Sequence, residues 1–335
     1  MPTSALLRYS LPHQTATAYL RQHQMKGESD VMIEVKNLTK HYGDKKAVNG
    51  ISFTAYDGEI LGLLGLNGAG KSTTMNMIAG YISMTEGNVK INGIDILENP
   101  LEARRQVGYL PEQPPLYPEM TVREYLRFVC ELKGVADYKK SAEELAAATG
   151  LSDVFTRRIG NLSKGYKQRA GIAAAIAGNP SVIILDEPTV GLDPNQIIEI
   201  RELIRSLGKN HTVILSSHIL HEISEICSRI LIIKNGEIAA EDTPQHLSSE
   251  TGDIKRVIIR AEGSDEEIAA VLNDVEDIEF KKNEKSGEYE ISSKTDDLSK
   301  RLFFAFACAG VPITSQREGK RTLEDVFKEV TKEET

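Results

Sequence analysis

One short stretch, LGLNGAGKST, has the residue types and the spacing that would hold a polyphosphate. Gly65 is followed by four residues and then by Gly70, Lys71 and Ser72, which satisfies the pattern GxxxxGK[ST]. Glycines let successive backbone N–H groups point into one concave loop, where phosphate oxygens can approach a main chain with few β-carbons. Lys71 would add a positive charge, and the Ser72 hydroxyl would be offered to Mg²⁺.

The elements around this loop would place its amides at the start of a helix. The preceding run EILGLLG is nearly continuous in apolar residues, as in a strand buried on both faces of a parallel sheet. The residues KSTTMNMIAG predict a helix that Gly80 ends. A helix terminus contributes only about 0.3–2 kcal/mol to anion binding, so the loop amides and Lys71 must supply the rest. The alternative, a chance match in a glycine-rich turn, is disfavoured by this strand, loop and helix order.

Two adjacent acids form a second candidate site. Asp186 and Glu187 follow the apolar run 182–185, at the end of a strand where open α/β sheets bind ligands. We expect Asp186 to hold Mg²⁺, directly or through water, and Glu187 to polarise a water for attack on a γ-phosphate. Acids are also common in turns after strands, so this interpretation depends on the phosphate loop.

A capped helix lies between these two motifs. Ser163 is a good N-cap for a helix over residues 164–177, and Gly178-Asn179-Pro180 would end it. From physical chemistry alone, an ordinary capped helix is the favoured interpretation.

The stretch LSKGYKQR, which begins this helix, resembles the signature motif of ATP-binding cassette (ABC) ATPases. With a Walker A motif at 65–73 and a Walker B motif at 182–186, it makes the chain similar to that family over about residues 32–248. The resemblance implies ATP and Mg²⁺ as cofactors. It also implies head-to-tail pairing of two copies, in which Ser163 and Gly165 contact ATP held by the other copy. The nucleotide contacts that it implies within Walker A are Gly65, Asn67, Gly68, Ala69, Gly70, Lys71, Ser72 and Thr73. Lys164 and Tyr166 depart from the commonest form, LSGGQ, and resemble export-type cassettes.

The resemblance assigns roles to three further residues. Tyr42 matches the aromatic that stacks on adenine, Asp193 in GLDP matches the D-loop, and His218 matches the histidine that reaches the γ-phosphate. Each has an ordinary structural alternative. Tyr42 could be a half-buried packing residue, Asp193 an N-cap followed by proline, and His218 a core histidine.

The stretch VGYLPEQPPLYPEMTVREYL resembles the Q-loop region, in which a glutamine senses Mg²⁺. Counting from YLP, Glu112 takes that place and Gln113 follows it, so both are candidates for this role. Helices at about 121–148 would form a surface that docks on a membrane permease.

The composition changes to a more charged character from about residue 252. The pattern predicts a strand (255–261), a helix (265–273), strands at 275–282 and 287–293, a helix (296–309) and a strand (311–316). This βαββαβ order indicates a ferredoxin-like domain, followed by a terminal helix over 322–331. It resembles, more weakly, the accessory domain of ABC-2 type and gliding-motility-type export ATPases.

The expected fold class is therefore α/β. It comprises a P-loop NTPase of the ABC-ATPase fold, with a RecA-like core, an antiparallel β subdomain and a helical subdomain at about 97–165, and a small α+β ferredoxin-like domain. The predicted domains are a disordered N-terminal extension (1–31), the ATP-binding domain (32–248) and an accessory domain (252–335). Residues 1–30 lack the apolar core of a secretory signal. They could instead be an organellar transit peptide, or an upstream start with Met32 as the natural first residue.

Bulk properties exclude several other classes. The net charge of −9 gives no overall basic footprint, so no nucleic-acid partner is expected. Three scattered cysteines suggest neither zinc nor a disulfide framework, which fits a reducing cytosol. The longest apolar stretch, 302–311, falls well short of the roughly 20 residues that cross a bilayer. We therefore expect a separate integral membrane permease as partner, with this chain peripheral on the cytoplasmic face of the cell membrane.

The predicted function is an ATPase subunit that forms ADP and phosphate and drives transport, with export as the expected direction. A cassette that acts in translation or DNA repair without a permease is the alternative, disfavoured by the single P-loop and the lack of a long coiled-coil insertion. A binding module without catalysis is disfavoured because Lys71, Asp186, Glu187 and His218 are all present.

Overall fold

The computed structural model describes residues 30–249, 255–283, 286–293, 295, 297–319 and 326–327. Apart from residues 30 and 31, the predicted N-terminal extension lies outside these ranges. The chain divides into two compact units, the first up to Pro244 and the second from Gln245 to Glu329. Among the described residues, no helix has both the length and the apolar character needed to cross a bilayer.

Two sheets form the frame of the first unit. Its strands are β1 (Val31–Tyr42), β2 (Lys45–Tyr56), β3 (Ile60–Leu64), β4 (Glu86–Ile91), β5 (Ile94–Asp95), β6 (Val107–Leu110), β7 (Val182–Leu185), β8 (Thr212–Ser217), β9 (Arg229–Lys234) and β10 (Glu237–Asp242). Six strands pair in the order β10-β9-β3-β8-β7-β6, all parallel except β10. Every residue of β3, β7 and β8 is buried, which explains their continuous apolar sequences.

The second sheet of this unit is antiparallel, with the order β2-β1-β4-β5. Alternate residues of its strands pack against one face of the six-stranded sheet, where Leu61 and Leu63 of β3 contribute to the same core. The β1–β2 hairpin ends with Tyr42 paired to Lys45, and Ala47, just inside β2, lies next to Gly70 at the end of the phosphate loop.

Helices complete the first unit. They are α1 (Lys71–Ile78), α2 (Pro100–Arg105), α3 (Val122–Leu132), α4 (Tyr138–Ala148), α5 (Lys164–Ile176), α6 (Pro194–Leu207) and α7 (Leu220–Ile226); a short α8 (Pro244–Ser249) contains the unit boundary. Helices α3, α4 and α5 share a separate apolar core that includes Leu126, Ala146 and Ala170. A reciprocal capping box between Thr121 and Glu124 begins α3.

The second unit has the predicted βαββαβ order. Its elements are β11 (Lys255–Ala261), α9 (Asp265–Asn273), β12 (Ile278–Lys282), β13 (Tyr289–Ser293), α10 (Leu298–Ala309) and β14 (Ile313–Glu318). The antiparallel sheet order β12-β13-β11-β14 inserts β13 between the two strands that α9 connects, which is the split βαβ arrangement of a ferredoxin-like domain.

Three strands in this unit differ in their bounds from the sequence prediction, and one of them is β13, which begins at Tyr289 and not at 287. Strand β12 begins at Ile278 and not at 275, because Asp277 has a left-handed φ of 53° that interrupts extended backbone. Strand β14 is displaced by two residues from the predicted 311–316. Most of the predicted terminal helix, 322–331, lies outside the described residues; within it, Val326 and Phe327 are helical and buried.

Candidate functional site

The phosphate loop opens onto a cavity of about 560 Å³. Ten predicted site residues line it, namely Tyr42, Asn67, Gly68, Gly70, Lys71, Ser72, Thr73, Glu112, Glu187 and His218. Its size lies in the range of small-molecule sites, roughly 300–1,000 Å³. Three further lining residues, Lys45, Ala47 and Val190, were not predicted. They come from the start of β2 and from the segment after β7, whose proximity to the loop depends on tertiary structure.

The loop has the backbone geometry of an anion cradle. Gly70 precedes α1 with a φ of 111°, which side chains of L-residues rarely permit, and a β-carbon on it would lie 2.6 Å from the carbonyl oxygen of Ala47. No side chain caps α1, and its first turn contains no acidic residue. Because the first N–H groups of a helix have no partner within the helix, those of Lys71, Ser72 and Thr73 are available to a ligand in the cavity.

Lys71 connects this loop to the acid after β7. Its Nζ donates to the carbonyl oxygens of Gly65 (2.8 Å) and Leu66 (3.3 Å) and lies 3.6 Å from Glu187 Oε1. Both charged side chains are buried, with 6% and 8% of their surface exposed. A phosphate oxygen would therefore compete with the loop carbonyls and with Glu187 for the same ammonium group.

Glu187 also pairs with the histidine after β8. His218 Nδ1 lies 2.9 Å from Glu187 Oε2, so one carboxylate contacts both Lys71 and His218. Glu187 has a left-handed φ of 48°, an uncommon conformation that is found at functional sites. Three groups able to act on a phosphate thus meet at one end of the sheet.

Asp186 is held by a hydroxyl that sequence reasoning missed. Ser216 Oγ donates to Asp186 Oδ1 (2.6 Å) and accepts from the backbone N–H of Glu187 (2.9 Å). Burial raises the pKa of the neighbouring Tyr109 well above its usual range, and the charge of Asp186 adds to that rise. The sequence did contain a clue, because the pair Ser216-Ser217 is the polar end of a buried strand whose centre, VIL, is apolar.

Tyr42 forms the exposed wall of the cavity. About half of its surface, 53%, is accessible, and Lys40 Nζ lies 5.2 Å from its ring centroid. The ring is thus half-buried, as the packing alternative also expects, and its exposed part at the cavity is suited to a planar ligand.

Three residues that resemblance assigns to nucleotide contact do not line the cavity of their own chain: Ser163, Gly165 and Asp193. Ser163 is the N-cap of α5 and accepts from Tyr166 N–H (3.4 Å), and Asp193 is the N-cap of α6 and accepts from Gln196 N–H (2.9 Å). The predicted caps are confirmed. Gly165 is buried beneath the side chain of Gln196, where a β-carbon would lie 2.8 Å from its amide carbon.

The remaining predicted residues separate into two groups. Gly65, Ala69 and Asp186 are buried within two residues, along the chain, of residues that line the cavity. In the Q-loop region, Glu112 lines the cavity and Gln113 does not.

Comparison with known proteins shows which family has this site. A family model described as ABC transporter matches residues 48–190. The bacitracin transport ATP-binding protein BcrA of Bacillus licheniformis is 35% identical over 303 residues, which cover 88% of this chain and 96% of that protein. Because residues up to 244 of the 335 make up less than three quarters of the chain, this match must extend into the second unit.

The chain belongs to the ATP-binding subunits of ABC transporters. Nod factor export ATP-binding protein I of Burkholderia orbicola is 33% identical to this chain, and the alignment covers 89% of this chain and 96% of that protein. One similar solved structure is the dimeric post-hydrolysis state of the ATP-binding cassette MJ0796 bound to ADP and Pi. It superposes with a TM-score of 0.58 at 28% sequence identity, and the superposition covers 63% of this chain and 98% of that chain.

Family membership confirms several sequence predictions. The chain is an ABC ATPase that binds ATP and hydrolyses it to ADP and phosphate. The predicted fold class is confirmed for the P-loop cassette. The alternative of a cassette that works without a transporter is not favoured, since the relatives named above are transport subunits.

Proposed function

We propose that this ABC ATPase binds Mg-ATP in the described cavity, pairs head to tail with a second copy, and drives export through a separate membrane permease. The observation that carries the proposal is the convergence of Lys71, Glu187 and His218 at the phosphate loop, with contacts of 3.6 and 2.9 Å.

The adenine ring stacks on Tyr42 and the phosphates enter the loop. The amides at 67–73 and the Lys71 ammonium hold the phosphate oxygens, since charge-assisted hydrogen bonds are about twice as strong as neutral ones. Gly68 has a positive φ of 81° and open space where a β-carbon would be, so this part of the cradle remains unobstructed.

The residues present fit a Mg²⁺ ion that phosphate helps to hold. Ser72 and Glu112 provide oxygen atoms at the cavity wall, and Asp186 lies behind it. No group of three or more His, Cys, Asp or Glu within the described residues is arranged to bind a metal on its own. This pattern suits Mg²⁺, which keeps several waters and takes one or two protein carboxylates together with substrate phosphates. We assign the Q-loop position to Glu112 because Gln113 does not line the cavity.

Glu187 is the general base in this proposal. Its carboxylate is anchored by Lys71 and His218 on its two oxygens, and these contacts aim it into the cavity. From there it accepts a proton from the attacking water. His218 lines the same cavity and, besides orienting Glu187, contacts the terminal phosphate.

A second copy completes the site. Ser163, Gly165 and Asp193 lie away from the cavity of their own chain, so the nucleotide contacts that the resemblance assigns to them require a partner copy, and that of Gly165 also requires the Gln196 side chain to move aside. Ser163 is exposed at the N-terminus of α5, a helix end that attracts anions. The solved dimer of MJ0796, with which this chain shares 28% identity, supports this arrangement.

The helical region provides a surface for a permease. Tyr117, Phe128 and Leu132 are exposed apolar residues on and beside α3, and the rings of Tyr117 and Phe128 pack edge to face 5.8 Å apart. Exposed apolar clusters of this kind are typical of protein interfaces. Export as the direction of transport is supported by the similarity to Nod factor export ATP-binding protein I, and the site of action is then the inner face of the membrane.

A glutamine substitution tests the proposal. Glu187→Gln keeps the shape of the base but removes its charge, so we expect it to bind ATP, elute as a dimer in size-exclusion chromatography with Mg-ATP, and release phosphate at under a hundredth of the wild-type rate. Glu98→Gln, an exposed acid ahead of α2, is the matched control and should behave as wild type. A Glu187→Gln protein that stays monomeric in Mg-ATP, or that retains the wild-type rate, contradicts the proposal.

The transport assignment has its own test. Tagged chain purified from detergent-solubilised membranes should recover one integral membrane protein in stoichiometric amount. Recovery of ribosomes or DNA in its place would support the alternative function.

A further inference from the structure

One buried carboxylate outside the nucleotide cavity has no cationic partner among the residues that the structure describes. Glu222 lies in α7 with 5% of its surface exposed, and none of the ion pairs found among the described residues includes it. Burying a carboxylate is costly unless its oxygens accept hydrogen bonds. Glu222 is not among the residues that line the cavity.

Two hydroxyl groups donate to a single oxygen of this carboxylate. Thr189 Oγ1 donates to Glu222 Oε2, and Ser217 Oγ reaches the same atom at 3.4 Å. Both hydroxyl residues are buried. Ser217 Oγ also accepts from the backbone N–H of Ile219 (2.9 Å), which fixes the turn around residue 218.

The two donors lie on the two segments that carry the reactive pair. Thr189 comes two residues after Glu187, and Ser217 comes immediately before His218. The side chains of Glu187 and His218 are themselves 2.9 Å apart. A single Glu222 oxygen therefore connects the two chain segments whose separation sets that distance.

We propose that Glu222 is a positioning residue for ATP hydrolysis, which holds Glu187 and His218 in register through Thr189 and Ser217. The inference rests on the roles given to Glu187 and His218 under Proposed function. The side-chain hydrogen bonds described for Glu222 go to Thr189 and Ser217 and not to the phosphate loop, so its removal should slow the chemical step without weakening nucleotide binding.

Two substitutions at this position separate positioning from general structure. Glu222→Gln keeps an oxygen that accepts from both hydroxyls, whereas Glu222→Leu keeps only bulk. We expect Glu222→Leu to lower kcat about ten- to a hundred-fold, the range expected for losing hydrogen bonds to a charged group, with the KM for ATP and the Kd for ADP within two-fold of wild type. Glu222→Gln should restore most of kcat. Glu225→Leu, an exposed glutamate of the same helix, is the control.

A double variant supplies the decisive comparison. If Thr189 acts through Glu222, then Thr189→Val lowers kcat in the wild-type chain but not in the Glu222→Leu chain. If the two substitutions lower kcat independently, so that their fold-losses multiply in the double variant, the inference is overturned. A wild-type kcat for Glu222→Leu, or a parallel loss of its affinity for ADP, would also overturn it. If Glu222→Leu does not fold, Thr189→Val and Ser217→Ala, which each remove one hydroxyl, make the same test, and the inference is overturned if both keep the wild-type kcat. Failure of the proposed function is distinguishable, because wild-type kcat would then be insensitive to Glu187→Gln.

Discussion

Replacing Gly70 by alanine should damage the fold and the nucleotide site together. Its φ of 111° lies outside the region that L-residues tolerate, at a cost of about 1–3 kcal/mol. The new β-carbon would lie 2.6 Å from Ala47 O, against an ordinary contact limit of 3.4 Å, so residue 70 and the β2 backbone must separate by about 0.8 Å. Overpacking of this kind costs about 1–3 kcal/mol more, which gives a total of roughly 2–6 kcal/mol.

Gly68→Ala is the matched control within the same loop. Its φ of 81° is also positive, but no atom lies within 4 Å of the added β-carbon. Only the backbone strain remains, about 1–2 kcal/mol. At about 2–4 °C per kcal/mol for a unit of this size, Tm should fall by roughly 4–24 °C for Gly70→Ala and 2–8 °C for Gly68→Ala.

Thermal scanning with and without ADP measures both effects. The transition that ADP raises in the wild type reports the first unit, because a ligand stabilises the unit that binds it. Gly70→Ala should lose this ADP-dependent shift, since movement of residue 70 displaces the amides at the start of α1. If Gly70→Ala is no less stable than Gly68→Ala and binds ADP normally, the close approach of Gly70 to β2 is wrong.

Two further predictions concern the cavity wall and a helix cap. Tyr42→Ala should weaken ATP binding about five- to a hundred-fold, as expected for the loss of one base-stacking contact, with Tm unchanged because this ring is exposed; Tyr42→Phe should bind normally in the same calorimetric titration. Hydrogen bonds from the backbone and hydroxyl of Thr121 lower the pKa of Glu124 below its usual 4.5. The charged Glu124 therefore contributes to stability above pH 4.5, and this contribution is lost as the pH falls through the lower pKa of the folded state. The Tm difference between wild type and Glu124→Gln should be largest near neutral pH and should disappear in acid.

Local patterns allowed the phosphate loop and the helix caps to be predicted. The loop depends on nine consecutive residues, and the caps at Ser163 and Asp193 depend on a side chain and the N–H three residues later. Such contacts are encoded within one turn of chain. The contacts of Lys45, Val190 and Ser216 could not be predicted in this way, because each depends on elements that are distant in sequence.

The strand boundaries that were predicted wrongly have a similar cause. Strand β14 has the sequence ITSQRE, in which five of six residues are exposed. Among the described residues it pairs only with β11, at the edge of its sheet, so its limits are set by a partner strand and not by an apolar pattern of its own. For β12, the left-handed Asp277 sets the boundary, and aspartate tolerates that conformation without requiring it.

The order of strands in the parallel sheet explains why the reactive groups meet. Strand β8 lies between β3 and β7, so the segments that follow these three strands emerge side by side. The register pairs Leu64 with Ser217 and Leu185 with Leu215. If the first pairing is extended by one residue, Gly65 lies level with His218. If the second is extended by two residues, Glu187 lies level with Ser217.

This register makes β8 the sensitive element of the site. A shift of one residue would turn the Ser216 hydroxyl away from Asp186 and the Ser217 hydroxyl away from Glu222, since neighbouring side chains of a strand point to opposite faces. Both polar contacts would be lost, and the side chain of His218 would no longer be oriented toward Glu187. Substitutions that loosen the packing of β8, such as Ile214→Ala in its buried centre, should therefore lower kcat along with stability, although residue 214 does not line the cavity.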